Sequence, residues 1–122
     1  MSKTEVYELT ELLNCYYFTY IPSVSIIFDS IPIGIFASYL VHWHGKTTRK
    51  DGWMWKTIEE AEKETGLSRY QQDRAISALA SHGVLEIQRK ESRGRRHFKL
   101  DIDKLYFLLD SHKNDFNLKK RK

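Results

Sequence analysis

The sequence predicts an α+β fold, mostly helical, and three features carry that prediction. Two helix starts, Thr57-x-x-Glu60 and Ser68-x-x-Gln71, stand on either side of Gly66-Leu67, a spacing that makes two short helices joined by a sharp turn. Two short apolar runs, Val84–Gln88 and His97–Leu100, flank the tip Glu91-Ser92-Arg93-Gly94-Arg95-Arg96, which no core would take in. A helical repeat of Ile33, Phe36, Ala37, Leu40 and Val41 supplies a third helix ahead of them. That order is a winged helix-turn-helix: a three-helix core with a small antiparallel sheet, or wing, and flanking N- and C-terminal helices.

The 122 residues suit one core, and 41% hydrophobic with 30% charged residues is the balance of a globular chain rather than a disordered one. The expected organisation is an N-terminal amphipathic helix in 1–17, the winged helix-turn-helix in 18–100, and a C-terminal helix with a basic tail in 101–122. Val6, Leu9, Leu12 and Leu13 recur at helical spacing between Glu5, Glu8 and Glu11, which gives the first helix. Tyr16–Phe28 is rich in aromatic and β-branched residues, so strand or extended backbone is expected there, with Pro22 confining or splitting it.

Ser30 can cap the next helix, with Pro32 in its first turn and Gly45 at its end. Trp53–Lys56 alternates and is short enough for a small strand that closes a three-stranded sheet. Trp53 and Trp55 share one face of that strand. At least one of them is expected in the core, and stacking on a base is the weaker reading. The two capped helices follow, with Leu67 plugging between them and Ala75, Ile76, Leu79 and Ala80 on the inner side of the second, which Gly83 ends. After the hairpin, Asp101 or Asp103 caps a last helix carrying Ile102, Leu105, Tyr106, Leu108 and Leu109.

Charge is unevenly spread. Residues 1–65 carry six Lys/Arg against nine Asp/Glu, a net −3. Residues 66–100 carry eight against three, a net +5, and residues 101–122 carry six against four, a net +2. The positive field therefore sits on the second helix of the pair and the hairpin, as binding to a polyanion requires. A recognition helix enters the major groove with its first turns, and here these present Ser68, Arg69, Tyr70, Gln71, Gln72, Asp73 and Arg74. Arg can bind guanine bidentately, Gln can bind adenine the same way, and Ser68 with the free N–H groups of the helix start can hold a phosphate. Asp73 suits cytosine or the orienting of a neighbouring Arg. The hairpin tip adds Arg89, Lys90, Arg93, Arg95 and Arg96, cations that repel one another unless an anion is near. Such a wing follows the backbone or inserts Arg into a narrow minor groove.

Other chemistries find little support. One cysteine, Cys15, excludes an internal disulfide and a four-Cys zinc site, and it reads as a small apolar filler. His42 and His44 lie on different faces of one helix, and His82, His97 and His112 are dispersed, so no metal site is expected. With no phosphate-binding glycine loop, no HExxH and no G-x-S-x-G, no enzyme and no cofactor are expected. The opening residues lead into an amphipathic segment, so no signal peptide is expected. The apolar run Ile31–Trp43 falls short of the ~20 residues that cross a bilayer, so no membrane partner is expected and a cytoplasmic location is.

The spacing from Trp53 through Ala61, Gly66-Leu67-Ser68-Arg69, Ala75-Ile76, Leu79 and Gly83-Val84-Leu85, followed by a basic hairpin, resembles winged helix-turn-helix proteins of phage and plasmid replication. It is similar to the DNA-binding domains of phage replisome organisers and related replication initiators. Phe18-Thr19-Tyr20-Ile21-Pro22-Ser23 and the helix Ile31–His44 resemble their lead-in, so the likeness spans about Phe18 to Leu100. It implies that Ser68–Arg74 face DNA and that Arg93–Arg96 form the wing. Gln72 departs from the pattern, standing where many relatives carry an apolar residue under the helix: either it is partly exposed or the helix is rotated slightly. No ATPase or helicase-loader motif lies within the 122 residues, so a replication role would be that of an origin-binding or recruiting module.

Two functions compete. The first is sequence-specific binding of double-stranded DNA in replication initiation or transcriptional regulation. The alternative is a protein-interaction module on a winged-helix scaffold, with a homodimer through the N- and C-terminal helices (Val6, Leu9, Leu12 and Leu13; Leu105, Leu108, Leu109 and Phe116) and replication proteins as further partners.

Overall fold

A computed structural model describes Glu8 and residues 17–46, 51–89 and 96–113. These residues form α1 (Pro22–Phe28), α2 (Ile31–His44), β1 (Trp53–Lys56), α3 (Ile58–Thr65), α4 (Arg69–Ser81), β2 (Leu85–Arg89), β3 (Arg96–Leu100) and α5 (Ile102–Ser111). The chain is thus α+β and mostly helical. Apart from Glu8, the helix expected over Thr4–Leu13 lies outside the described residues, as do Cys15, Lys90, Arg93, Arg95, Phe116 and the basic tail.

The first difference from expectation is α1. Residues 17–21 have no regular secondary structure, but Pro22–Phe28 is helical. Pro22 sits in the first turn, where its missing N–H costs nothing and its fixed φ suits the helix. Packing then outweighs the β preference of the local sequence. Val24 and Ser25 are buried against α2, and Ser25 comes so close to Gly34 that a Cβ there would lie 1.8 Å from the Ser25 hydroxyl.

Helix α2 is the centre of the molecule. Ser30 accepts from the Ile33 N–H at 3.4 Å and Pro32 occupies the first turn, as the sequence indicates. Gly45 is the C-cap but keeps a right-handed φ of −72°. Phe36, Ala37, Tyr39 and Leu40 are fully buried. Ser38 is buried too, and its hydroxyl donates to the Gly34 carbonyl at 2.7 Å while accepting from the Ile21 N–H at 2.8 Å. Tyr39 donates through its hydroxyl to Glu64 Oε1 at 2.6 Å. Lys56 Nζ pairs with the same carboxylate at 3.3 Å and lies 3.7 Å from the Trp43 ring centroid, which ties α2, β1 and α3 together.

Both capping boxes form. Thr57 Oγ1 accepts from the Glu60 N–H and Glu60 Oε1 accepts from the Thr57 N–H; Ser68 and Gln71 do the same at the start of α4. Between the helices Gly66 takes a left-handed φ of 80°, which an L side chain adopts only with strain, and Leu67 is buried beneath the turn. Helix α4 ends in a Schellman motif: the Gly83 N–H donates to the Ala80 carbonyl and the Val84 N–H to the Leu79 carbonyl, both at 3.0 Å, with Val84 buried.

The sheet order is β1-β3-β2, antiparallel throughout. Its inner face carries Met54, Leu85, Phe98 and Leu100, with Phe98 in edge contact with Phe36 at 6.0 Å between centroids. Here the structure corrects a second expectation. Neither Trp53 nor Trp55 enters the core; Met54, opposite Phe98 in the register, does, because alternation sends both indoles to the outer face. The chain then turns at Asp101, whose N–H donates to the Val84 carbonyl and whose side chain caps α5 by accepting from the Lys104 N–H at 3.0 Å. Leu105 anchors α5, while Tyr106 and Phe107 are about 70% exposed.

Candidate functional site

Helix α4 owes its orientation to its inner stripe. Ala75, Ile76 and Leu79 are buried against α2 and the sheet, and one further residue at the same helical spacing, Gln72, is buried with them. Gln72 Nε2 donates to the Leu67 carbonyl at 3.0 Å and to the Ile58 carbonyl at 3.2 Å. Its Oε1 accepts from Arg96 Nη2 at 2.7 Å, and the same Nη2 reaches the Thr57 carbonyl at 3.3 Å. The Arg96 guanidinium also lies 5.4 Å from the Phe98 ring centroid. A buried arginine is tolerable only when hydrogen-bonded, and this one is held from α4, the start of α3 and its own strand.

Gln72 and Arg96 therefore leave the set of surface residues expected to meet a ligand. Gln72 fills the position under the helix that it was expected to avoid, by making hydrogen bonds in place of apolar contact, and no rotation of α4 is needed. Arg96 is drawn in because β3 begins one residue earlier than expected, so that the parity of Phe98 and Leu100 extends to it.

The remaining residues of α4 form an exposed outer face. Arg69, Tyr70, Asp73 and Arg74 all point outward, and Ser77, which the sequence reading passed over, continues the face one turn on, at i+4 from Asp73. Arg69 Nε lies 4.0 Å from Asp73 Oδ2. Arg74 Nη1 donates to the Tyr70 hydroxyl at 3.1 Å, with the guanidinium 5.8 Å from the ring centroid. Each arginine thus has a partner one turn earlier or later that limits where its head can go, while most of its planar donor fork stays in solvent. Ser68 Oγ and Gln71 Oε1 are taken by the capping box, so these two residues hold the helix start. The first N–H groups of any helix lack intrahelical partners and carry the positive end of its dipole, which suits an anion. Of the hairpin cations, Arg89 ends β2, opposite Arg96, and Lys90, Arg93 and Arg95 lie outside the described residues.

Among the described residues no three His, Cys, Asp or Glu side chains converge as metal ligands would. A cleft of about 510 Å³ runs between the end of α4, the outer strand β2 and α5, lined by Glu86, Lys99, Asp101, Asp103 and Lys104 among others. Its mixed charges hold no nucleophile and base in contact. His42, on α2, has its pKa lowered by burial and by Lys46, with Glu64 raising it and Lys56 lowering it again. No described helix is long and apolar enough to cross a membrane. No protein-family model, no curated protein and no solved structure matches the chain.

Proposed function

We propose that the protein is a sequence-specific binder of double-stranded DNA, built as a winged helix-turn-helix and acting in replication initiation or transcriptional regulation. The observation that carries this reading is the outer face of α4. A capped turn positions the helix, its inner side is fixed by Gln72, Ala75, Ile76 and Leu79, and the side left over presents Arg69, Tyr70 and Arg74 on its first two turns. Planar arginine forks on the first turns of a helix are what major-groove reading needs. Element order supports the reading as well: a helix, a short strand, two helices joined by a turn, then two strands, with β3 between β1 and β2. The net +5 of residues 66–100 supplies the field. Arg89, Lys90, Arg93 and Arg95 are then the wing, contacting phosphates or a narrow minor groove.

The test is duplex binding followed across salt. Affinity is expected to fall with a log–log slope of about −0.9 per phosphate neutralised. Selection of bound duplexes from a random pool distinguishes the roles: a palindrome indicates a dimeric regulator and direct repeats an origin binder. No enrichment overturns sequence-specific recognition.

A second reading, an interaction module that pairs two copies or recruits replication proteins, is favoured by one observation. Tyr106 and Phe107 stand exposed on α5, beside an apolar cleft of about 280 Å³ lined by Ile21, Ser23 and Leu109. Sedimentation at high micromolar concentration tests the homodimer, and a monomer there removes it.

A further inference from the structure

Asp73 is the one acidic residue of α4, and it is exposed on the outer face with Arg69 and Arg74. The fold gains little from it there. Its pair with Arg69 is 4.0 Å long, and the two side chains are 71% exposed for Arg69 and 47% for Asp73, a contact that adds little to stability in water. The order is also the weaker one on a helix, cation before anion, with Arg69 at the positive end of the dipole. Aspartate is a poor helix former at an interior position. On a face that meets phosphates, a carboxylate lowers affinity for every sequence. A residue that helps neither the helix nor the general attraction to a polyanion has discrimination left to contribute.

We propose that Arg69 and Asp73 act as one unit that reads a single C·G base pair in the major groove; this rests on the duplex-binding reading of α4. The major-groove edge of that pair presents, in order, the donor amino group of cytosine and then the two acceptors of guanine, O6 and N7. A carboxylate beside a guanidinium presents the complementary order, an acceptor followed by donors. Asp73 accepts from the cytosine amino group while Arg69 donates to the guanine. The two side chains lie one turn apart on the same face and stay in contact as they do so, because each has more donors or acceptors than one base edge uses. Read in the same direction, T·A and G·C put an acceptor where the carboxylate needs a donor, and A·T puts the thymine methyl where the guanidinium needs its second acceptor. The carboxylate therefore rejects wrong pairs by repulsion as well as selecting the right one. Arg74, whose partner Tyr70 is neutral, carries no such constraint.

The experiment selects duplexes from a random pool with the full chain, with D73A and with R69A. Affinity is then measured for the parent's preferred site, for that site with one pair changed, and for random duplex. The parent is expected to enrich an invariant C·G pair and to bind about tenfold more weakly when that pair is reversed or replaced by T·A. D73A is expected to accept any base pair at this one position and to keep the rest of the motif. It is also expected to bind random duplex more tightly than the parent, since a repulsive charge is gone. Alanine at an exposed helical position favours the helix, so loss of fold does not confuse this result. R69A is expected to relax the same position but to bind random duplex more weakly. Weaker binding of D73A to every sequence overturns the inference, and so does relaxation of different positions in D73A and R69A. If the parent enriches a motif and D73A enriches the same one, this inference fails alone. If the parent enriches none, sequence-specific duplex reading fails and this inference with it.

Discussion

Arg96 Nη2 donates to Gln72 Oε1 at 2.7 Å, and both side chains are buried, Gln72 completely and Arg96 to all but 2%. The bond joins the second helix of the pair to the central strand across 24 residues of sequence. Q72L leaves the guanidinium without this acceptor and the Leu67 and Ile58 carbonyls without this donor, so a loss of about 3 kcal/mol is expected. R96M is expected to cost a similar amount. Together they remove the buried polar groups as well as the bond, and Q72L/R96M is expected to cost at least about 1 kcal/mol less than the two added. Urea unfolding of the four proteins measures this, and simple additivity would show that the pair does not act as a unit.

The same burial separates Arg96 from its neighbours in sequence. R93A/R95A is expected to weaken duplex binding and to shallow the salt slope by about 1 for each phosphate that is no longer neutralised. R96M is expected to leave that slope unchanged at a temperature where it is folded. R69A and R74A are expected to cost about 1–3 kcal/mol each on the preferred site and less on random duplex. Y70F removes the hydroxyl that accepts from Arg74, so a smaller loss of the same kind is expected. Uniform losses on every sequence would make these residues phosphate binders and not readers of bases.

Two glycines differ in why they are needed. A Cβ at Gly66 meets nothing within 4 Å, so G66A carries only the strain of a left-handed residue, about 1 kcal/mol. A Cβ at Gly34 would sit 2.8 Å from the Ser25 backbone nitrogen as well as 1.8 Å from its hydroxyl, so no side-chain rotation clears it. G34A must push α1 off α2 and is expected to cost about 3 kcal/mol or more. Thermal unfolding that ranks G66A as the more damaging change would contradict this packing.

His42 gives a pH dependence. Burial first, then Lys46 and Lys56, hold its imidazole below the ordinary value of 6.5, against an opposing pull from Glu64. The unfolded chain therefore takes up the proton before the folded one does. The contribution of His42 is complete above about pH 6.5 and declines as pH falls through that value towards the lower folded one. The urea midpoint is expected to drop between about pH 7.5 and about pH 5.5, and H42Q to flatten part of that drop. An unchanged slope in H42Q would place the titration elsewhere.

Local signals made much of this legible. The boxes at Thr57 and Ser68, the cap at Ser30, the turn at Gly66 and the buried Leu67 follow from residue type and spacing alone. Helix α1 was not legible in the same way, because Val24, Ile26 and Ile27 favour strands and packing against Gly34 makes them a helix. In the candidate site the two residues that turn inward were also readable in principle. Gln72 lies three, four and seven residues before Ala75, Ile76 and Leu79, and Arg96 shares the parity of Phe98 and Leu100. A long polar side chain at such a position carries no local sign that a partner waits 24 residues away. The Trp53 and Trp55 face was readable as a pair, but which face meets the core depends on Met54 pairing with Phe98.

Strand order has a temporal consequence. Because β3 lies between β1 and β2, both earlier strands emerge from synthesis with no sheet to join. The helices α2, α3 and α4 are made before residue 96 and can pack first, with Gln72 already in place beneath α4. The sheet then closes in one step, when the late strand brings Arg96 to Gln72 and saturates two strand edges at once. A nascent chain stalled before residue 96 would expose Met54 and Leu85 together with their unpaired backbone, which makes that interval the one most vulnerable to aggregation.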